Sequence, residues 1–134
     1  MAKKLAAILN DALDDEYKAE ANYAAVIARF GDVRPFINIV EAERRHAGAL
    51  VRQCERLGIA PVANRWAGKV AAPASLRDAC AEAIAAEVEN IALYDRLLPG
   101  VADTQLRDVL ERLQEASRDR HLPAFRRSLD RQRP

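Results

Sequence analysis

The chain is poor in several things that mark large protein classes. Only 5% of its 134 residues are aromatic, too few for the core of an aromatic-rich β-sandwich. Net charge is scarce as well. Twenty-one Lys and Arg stand against 20 Asp and Glu, leaving +1, so no broad field draws nucleic acid or an anionic membrane. The two cysteines, Cys54 and Cys80, lack the CxxC spacing of zinc or thioredoxin-like sites. They sit among apolar neighbours and read as buried free thiols of a reduced, cytoplasmic protein. No stretch approaches the roughly 20 apolar residues of a membrane span. The opening nine residues briefly look like a signal peptide, but Asn10, Asp11, Asp14, Asp15 and Glu16 end that run. The basic run from Arg126 to Arg133 includes Asp130 and no aromatic residue, and reads as a solvated helix end.

Half of the residues are hydrophobic and 31% are charged, with five Gly and six Pro. This balance suits Ala-, Leu-, Arg- and Glu-rich helices, and the length suits one all-α domain over 1–134. Apolar periodicity predicts four helices, at about 3–30, 34–57, 75–98 and 103–130, with a long crossover at 58–74. In the first, Leu9, Leu13, Glu16, Glu20, Tyr23, Ile27 and Phe30 form one stripe, ended by Gly31. The second carries Phe36, Val40, Glu43, Ala47, Leu50, Cys54 and Leu57, opened by Pro35 and closed by Gly58. Ser75 and Asp78 resemble a capping box before Leu76, Cys80, Ala83, Glu87, Ile91, Tyr94 and Leu98. The fourth stripe is Leu106, Leu110, Leu113, Ser117, His121 and Phe125, with Pro123 expected to interrupt the helix. Short links make each pair of helices an antiparallel hairpin. The i, i+7 pairs Glu16–Tyr23 and Glu87–Tyr94 suggest that the hairpins are an internal repeat. Trp66, within the crossover, reads equally as a loop anchor or a subunit contact.

The polar members of these stripes are the informative ones. A buried ionised carboxylate costs several kcal/mol unless it is paired, hydrogen-bonded or metal-bound. Yet Glu16, Glu43 and Glu87 lie mid-helix on apolar faces, with Glu20 one turn beyond Glu16. His46 follows Glu43 by three residues, so this Glu-x-x-His element directs both side chains at one point. Glu16 and His46 each lie fifteen residues from Gly31, at one level of the first hairpin. In the second hairpin Glu87 lies thirteen residues before Gly100 and His121 twenty-one after it, a poorer match. Singly, each of these residues reads as a satisfied polar group of the core. Three carboxylates and both histidines on four core stripes together point to a cation. Tyr23 and Tyr94 are either plain core aromatics or hydrogen-bond donors to the carboxylates.

Two hairpins joined by a crossover that spans the bundle is the connectivity of ferritin-like four-helix bundles. The stretches Asp14-Asp-Glu-Tyr-Lys-Ala, Gly31-Asp-Val-Arg-Pro-Phe-Ile-Asn-Ile-Val-Glu-Ala-Glu and His121-Leu-Pro-Ala-Phe carry a closer likeness. From about residue 5 to residue 128 the chain resembles the ferritin-like superfamily, rubrerythrin-like proteins in particular, and the bacterial ferritin-like domains of unknown function. The resemblance implies metal ligation by Glu16, Glu43, His46, Glu87 and His121, with Tyr23, Tyr94 and Glu20 supporting them. It implies one or two non-haem iron ions, with manganese or zinc as alternatives, and an oxidoreductase of the ferroxidase or peroxide-reductase type acting on O2, peroxide or Fe(II). A homodimer and an external electron donor are the expected partners. The family pattern has a second Glu in helix 4 where this chain has Ser117 and Arg118. Three carboxylates with two imidazoles would leave two divalent ions at net +1, tolerable if Glu20 is drawn in. Alternatively, Arg118 turns inward to neutralise Glu43 or Glu87, and the bundle is a non-enzymatic module with a degenerate site, acting through protein-protein contacts.

Overall fold

The computed structural model describes residues 2–132, with side chains from residue 4 onward. It is a four-helix bundle of α1 (Ala2–Phe30), α2 (Phe36–Leu57), α3 (Leu76–Leu97) and a fourth helix in three pieces. These are α4 (Thr104–Ala116), a π-helical turn (Ser117–His121) and α5 (Leu122–Arg131). No described residue is in a strand. No helix among the described residues is long and apolar enough to cross a membrane.

Local chemistry fixes the ends. Gly31, at φ 89°, donates its N–H to the Ile27 carbonyl at 2.8 Å, an αL stop for α1. Gly58, at φ 70°, stops α2 with Ile59 bonding back to the Cys54 carbonyl at 2.8 Å, a Schellman pattern. The hydroxyl of Ser75 accepts from Asp78 N–H at the start of α3, and Asp103 accepts from Leu106 N–H at the start of α4. Asp103 also receives Arg56 from the end of α2, which ties the two hairpins together at that end of the bundle. The exposed residues of the basic run, Arg126, Arg127 and Arg131, face solvent as expected, while Arg133 lies outside the described residues. Cys54 and Cys80 are buried free thiols.

Pro123 does not interrupt the fourth helix. The ring of a mid-helix Pro collides with the carbonyl four residues earlier and offers no N–H. Here the wider π turn lies directly upstream, with Leu122 N–H bonded to the Ser117 carbonyl. The same turn explains a spacing anomaly. Leu113, Ser117, His121 and Phe125 are separated by four residues each, and in an α-helix of 3.6 residues per turn each such step would overshoot by about 40°. The extra residue of the π turn absorbs the drift, and Ser117, His121 and Phe125 are all buried.

The second hairpin reverses later than Gly100. After α3, a 3-10 turn (Leu98–Gly100) carries the chain onward before it turns back through Val101 and Asp103. Pairs across this hairpin, Ile91 with Gln114 and Asn90 with Ser117, are centred near Asp103. Counted from there, Glu87 and His121 come level.

Two dry clusters fill the bundle. One gathers Leu9, Leu13, Leu50, Tyr94, Leu106 and Leu110, and the other Tyr23, Val26, Phe36, Ile39, Cys80 and Phe125. Between them lies a polar layer, which is the candidate site.

Candidate metal centre

Burial in α1 follows Leu9, Ala12, Glu16, Ala19, Tyr23 and Val26, and in α3 Cys80, Ala83, Glu87, Asn90, Tyr94 and Leu97. Both series step by three and four alternately, a 3.5-residue period that keeps one seam facing its neighbours. The Glu and Tyr positions are those that the apolar stripes predict, but the flank buried between them is the opposite one. Ala19 and Asn90 are therefore inside where Glu20 and Ile91 were expected. Glu20 lies at the edge of the bundle, where it binds Arg44 on α2 at 3.0 Å instead of joining the carboxylate cluster.

The other predicted residues converge. Glu16, Glu43, His46, Glu87 and His121 are all between 1 and 9% exposed. His46 Nδ1 lies 3.2 Å from Glu16 Oε1 and 3.0 Å from Glu43 Oε1. His121 Nδ1 lies 3.4 Å from Glu87 Oε1 and 3.8 Å from Glu43 Oε1. The two imidazoles stack with centroids 5.6 Å apart and planes 17° apart. Glu43 therefore stands between two similar halves, one made by Glu16 and His46, the other by Glu87 and His121.

The tyrosines complete this symmetry crosswise. Tyr23 on α1 donates to Glu87 Oε2 on α3 at 2.6 Å, and Tyr94 on α3 donates to Glu16 Oε2 on α1 at 3.0 Å. Each carboxylate thus has one oxygen held by a phenol while the other faces an imidazole. Asn90 was missed by sequence reasoning. Its amide donates to Glu16 Oε2 at 3.0 Å and to Asp15 at 2.6 Å, while Ser117 donates to its carbonyl oxygen at 3.0 Å. Its position three residues after Glu87, matching the Glu43–His46 spacing, was the available signal.

Arg118 does not turn inward. The π turn puts Ser117 on the inner face and leaves Arg118 53% exposed, paired with Asp119 at 3.0 Å. Among the described residues, no carboxylate from the fourth helix faces Glu43, and no guanidinium neutralises it.

Electrostatics within the layer are unbalanced. Burial, reinforced by the charge on Glu16 and opposed by His46, pushes the Glu43 carboxyl well above its ordinary range. Burial also pulls the His46 imidazole down, but its hydrogen bond to Glu16 and contact with Glu43 outweigh this and lift it to about 9. Tyr23 and Tyr94 are held neutral by burial and by the neighbouring carboxylates. Glu43 Oε1, Glu87 Oε1 and His121 Nδ1 are buried without a hydrogen-bond partner. Such groups are destabilising when left unsatisfied, and they lie together, His121 Nδ1 being 3.4 Å from Glu87 Oε1 and 3.8 Å from Glu43 Oε1.

The solved bacterioferritin of Desulfovibrio desulfuricans superposes on this chain with a TM-score of 0.85 at 21% identity, covering 96% of this chain and 79% of that one. The fold is ferritin-like. That bacterioferritin was described for its diiron site in different catalytic states. No protein-family model and no curated protein sequence matches the chain. Within this ferritin-like bundle, ligand atoms of Glu43, His46 and His121 all lie within 4.8 Å of one another. Carboxylate and imidazole together suit iron, manganese or zinc. The orphaned atoms belong to the residues that a cation would satisfy, so the residues present fit a metal.

Proposed function

We propose that this chain is a non-haem iron protein whose buried Glu/His layer holds one or two ions and acts on O2, peroxide or Fe(II). The convergence of Glu43 Oε1, Glu87 Oε1 and His121 Nδ1, all buried and in contact with one another or with His46 but without a satisfying hydrogen bond, carries this reading. Glu43, His46 and His121 would form the innermost ligand set, with Glu16 and Glu87 at its two ends. Bound iron would supply one-electron chemistry. The chain's own part is to hold Glu16 and Glu87 through Tyr94 and Tyr23, and to flank the layer with an apolar cluster on either side. The bacterioferritin neighbour supports iron over manganese and zinc, and the missing helix 4 carboxylate supports a site poorer in charge than one with four. A cycle that returns iron to its reduced form would take electrons from a separate donor, and a homodimer is part of the same proposal.

Protein grown with iron and purified without chelators should carry at least one iron per chain by elemental analysis. The metal-free form should oxidise added Fe(II) faster than buffer does. Absence of both stoichiometric metal and Fe(II) oxidation above background sinks the reading. A structural or partner-binding bundle is the second reading, favoured by Ser117 standing inward where a fourth-helix carboxylate would complete the set. It expects Glu43 and His46 to be replaceable together by Leu with stability unchanged or improved.

A further inference from the structure

A cavity of about 280 Å³ lies between α1, α3 and the crossover, against the side of the polar layer. It exists because α3 offers Ala79, Ala83 and Ala86 where larger side chains would meet Tyr23 and Val26. Phe36 and the crossover residues Val70 and Pro73 complete its apolar wall. At the rim stand Lys18, Glu82 and Glu89, all exposed. A second space of about 20 Å³, room for about one water, shares Asn22 and Ala86 with the first and reaches Glu87 and Asn90. Tyr23 belongs both to the cavity wall and, through its hydroxyl, to Glu87. The cavity is thus one side chain away from the candidate metal layer.

We propose that this cavity binds a small, uncharged, largely apolar organic molecule of one or two aromatic rings, seated against Tyr23. An apolar cavity of about 150 Å³ accommodates benzene, so the larger volume here admits two fused rings. An ionised ligand is disfavoured because the apolar walls offer it little solvation, and an anion is further repelled by a rim of one Lys and two Glu. The site goes beyond the iron reading and does not require a bound ion.

Indole is a suitable probe, titrated into the full chain with side-chain methyl and aromatic resonances followed by NMR. The titration is run on protein as purified and after chelation. Saturable shifts are expected at Val26, Val70, Ala83, Ala86 and the Tyr23 ring in both forms. Ala86→Leu should weaken indole binding at least about tenfold by filling the space, while Val88→Ala, on the exposed side of α3, leaves it unchanged. Circular dichroism checks that Ala86→Leu is folded, and Ala79→Val replaces it if it is not. Shifts that fail to saturate, that scatter over the surface, or that persist with unchanged affinity in the filled variant overturn the proposal. Loss of indole binding with normal iron content counts against the cavity alone, and normal binding without iron counts against the metal reading alone.

Discussion

At the residue scale, Glu43 is where the two halves of the polar layer meet. It is buried between two histidines, its Oε1 3.0 Å from His46 Nδ1 and 3.8 Å from His121 Nδ1, and is pushed toward its protonated form. Removing a phenol from the layer should aggravate the imbalance. Tyr23→Phe leaves both oxygens of Glu87 without a neutral donor, and should weaken metal affinity about 10- to 100-fold by competition dialysis. Metal-free stability should fall by about 1–3 kcal/mol in urea. The pH dependence has a definite sign. His46 is raised from 6.5 to about 9, so in metal-free protein its stabilisation is complete below 6.5 and is lost as pH rises through 9. Glu43 is raised too, and acts in the same direction. Metal binding displaces those protons and strengthens with pH. Chelated protein should therefore lose stability between about pH 6.5 and 9, and loaded protein should lose less. Urea midpoints across that range measure both.

At the element scale, the π turn decides what the fourth helix contributes. With a plain α-helix through Pro123, Arg118 would sit three residues before His121, near its face. The wider turn moves Ser117 inward and Arg118 out. Two substitutions separate these geometries. Ser117→Glu should add an inward carboxylate and raise metal stoichiometry or affinity, whereas Arg118→Glu should do neither and change stability by less than about 0.5 kcal/mol. Elemental analysis and thermal unfolding distinguish them. If Arg118→Glu gains metal and Ser117→Glu does not, the facing of the turn is wrong.

At the scale of the whole molecule, the crossover is fastened to α1 at one cluster. Asp14 takes two hydrogen bonds from Arg65 at 2.9 Å and one from Trp66 Nε1 at 3.1 Å. Lys18 and Arg65 lie over the Trp66 ring. Asn10 adds bonds to the Ala60 carbonyl and the Val62 N–H. Trp66 is thereby a loop anchor within the chain. The hydrogen bonds from Arg65 hold the Asp14 carboxyl below its ordinary value, so its contribution is present at neutral pH and fades as pH falls through that lowered value. Asp14→Ala should increase proteolytic cleavage in 59–74 several-fold, by about 1 kcal/mol of local opening, while α1 and α2 stay protected. Limited proteolysis with mass mapping reads this out.

The sequence by itself determined the helices, their glycine stops, the level of Glu16 with His46, and the identity of the five polar residues that converge. All of these follow from local spacing and from the cost of burying charge, which act along one helix or one short turn. It left the phase of the stripes open beyond Glu16: positions 19 and 26 and positions 20 and 27 both alternate with 16 and 23, and only packing against neighbouring helices chooses between them. Tertiary structure made that choice, bringing in Asn90 and leaving Glu20 to Arg44. It also decided the crosswise Tyr–Glu pairing, the reversal near Asp103, and the outward Arg118. Each depends on how one helix meets another, or on the one extra residue in the π turn, and no single-helix period encodes that.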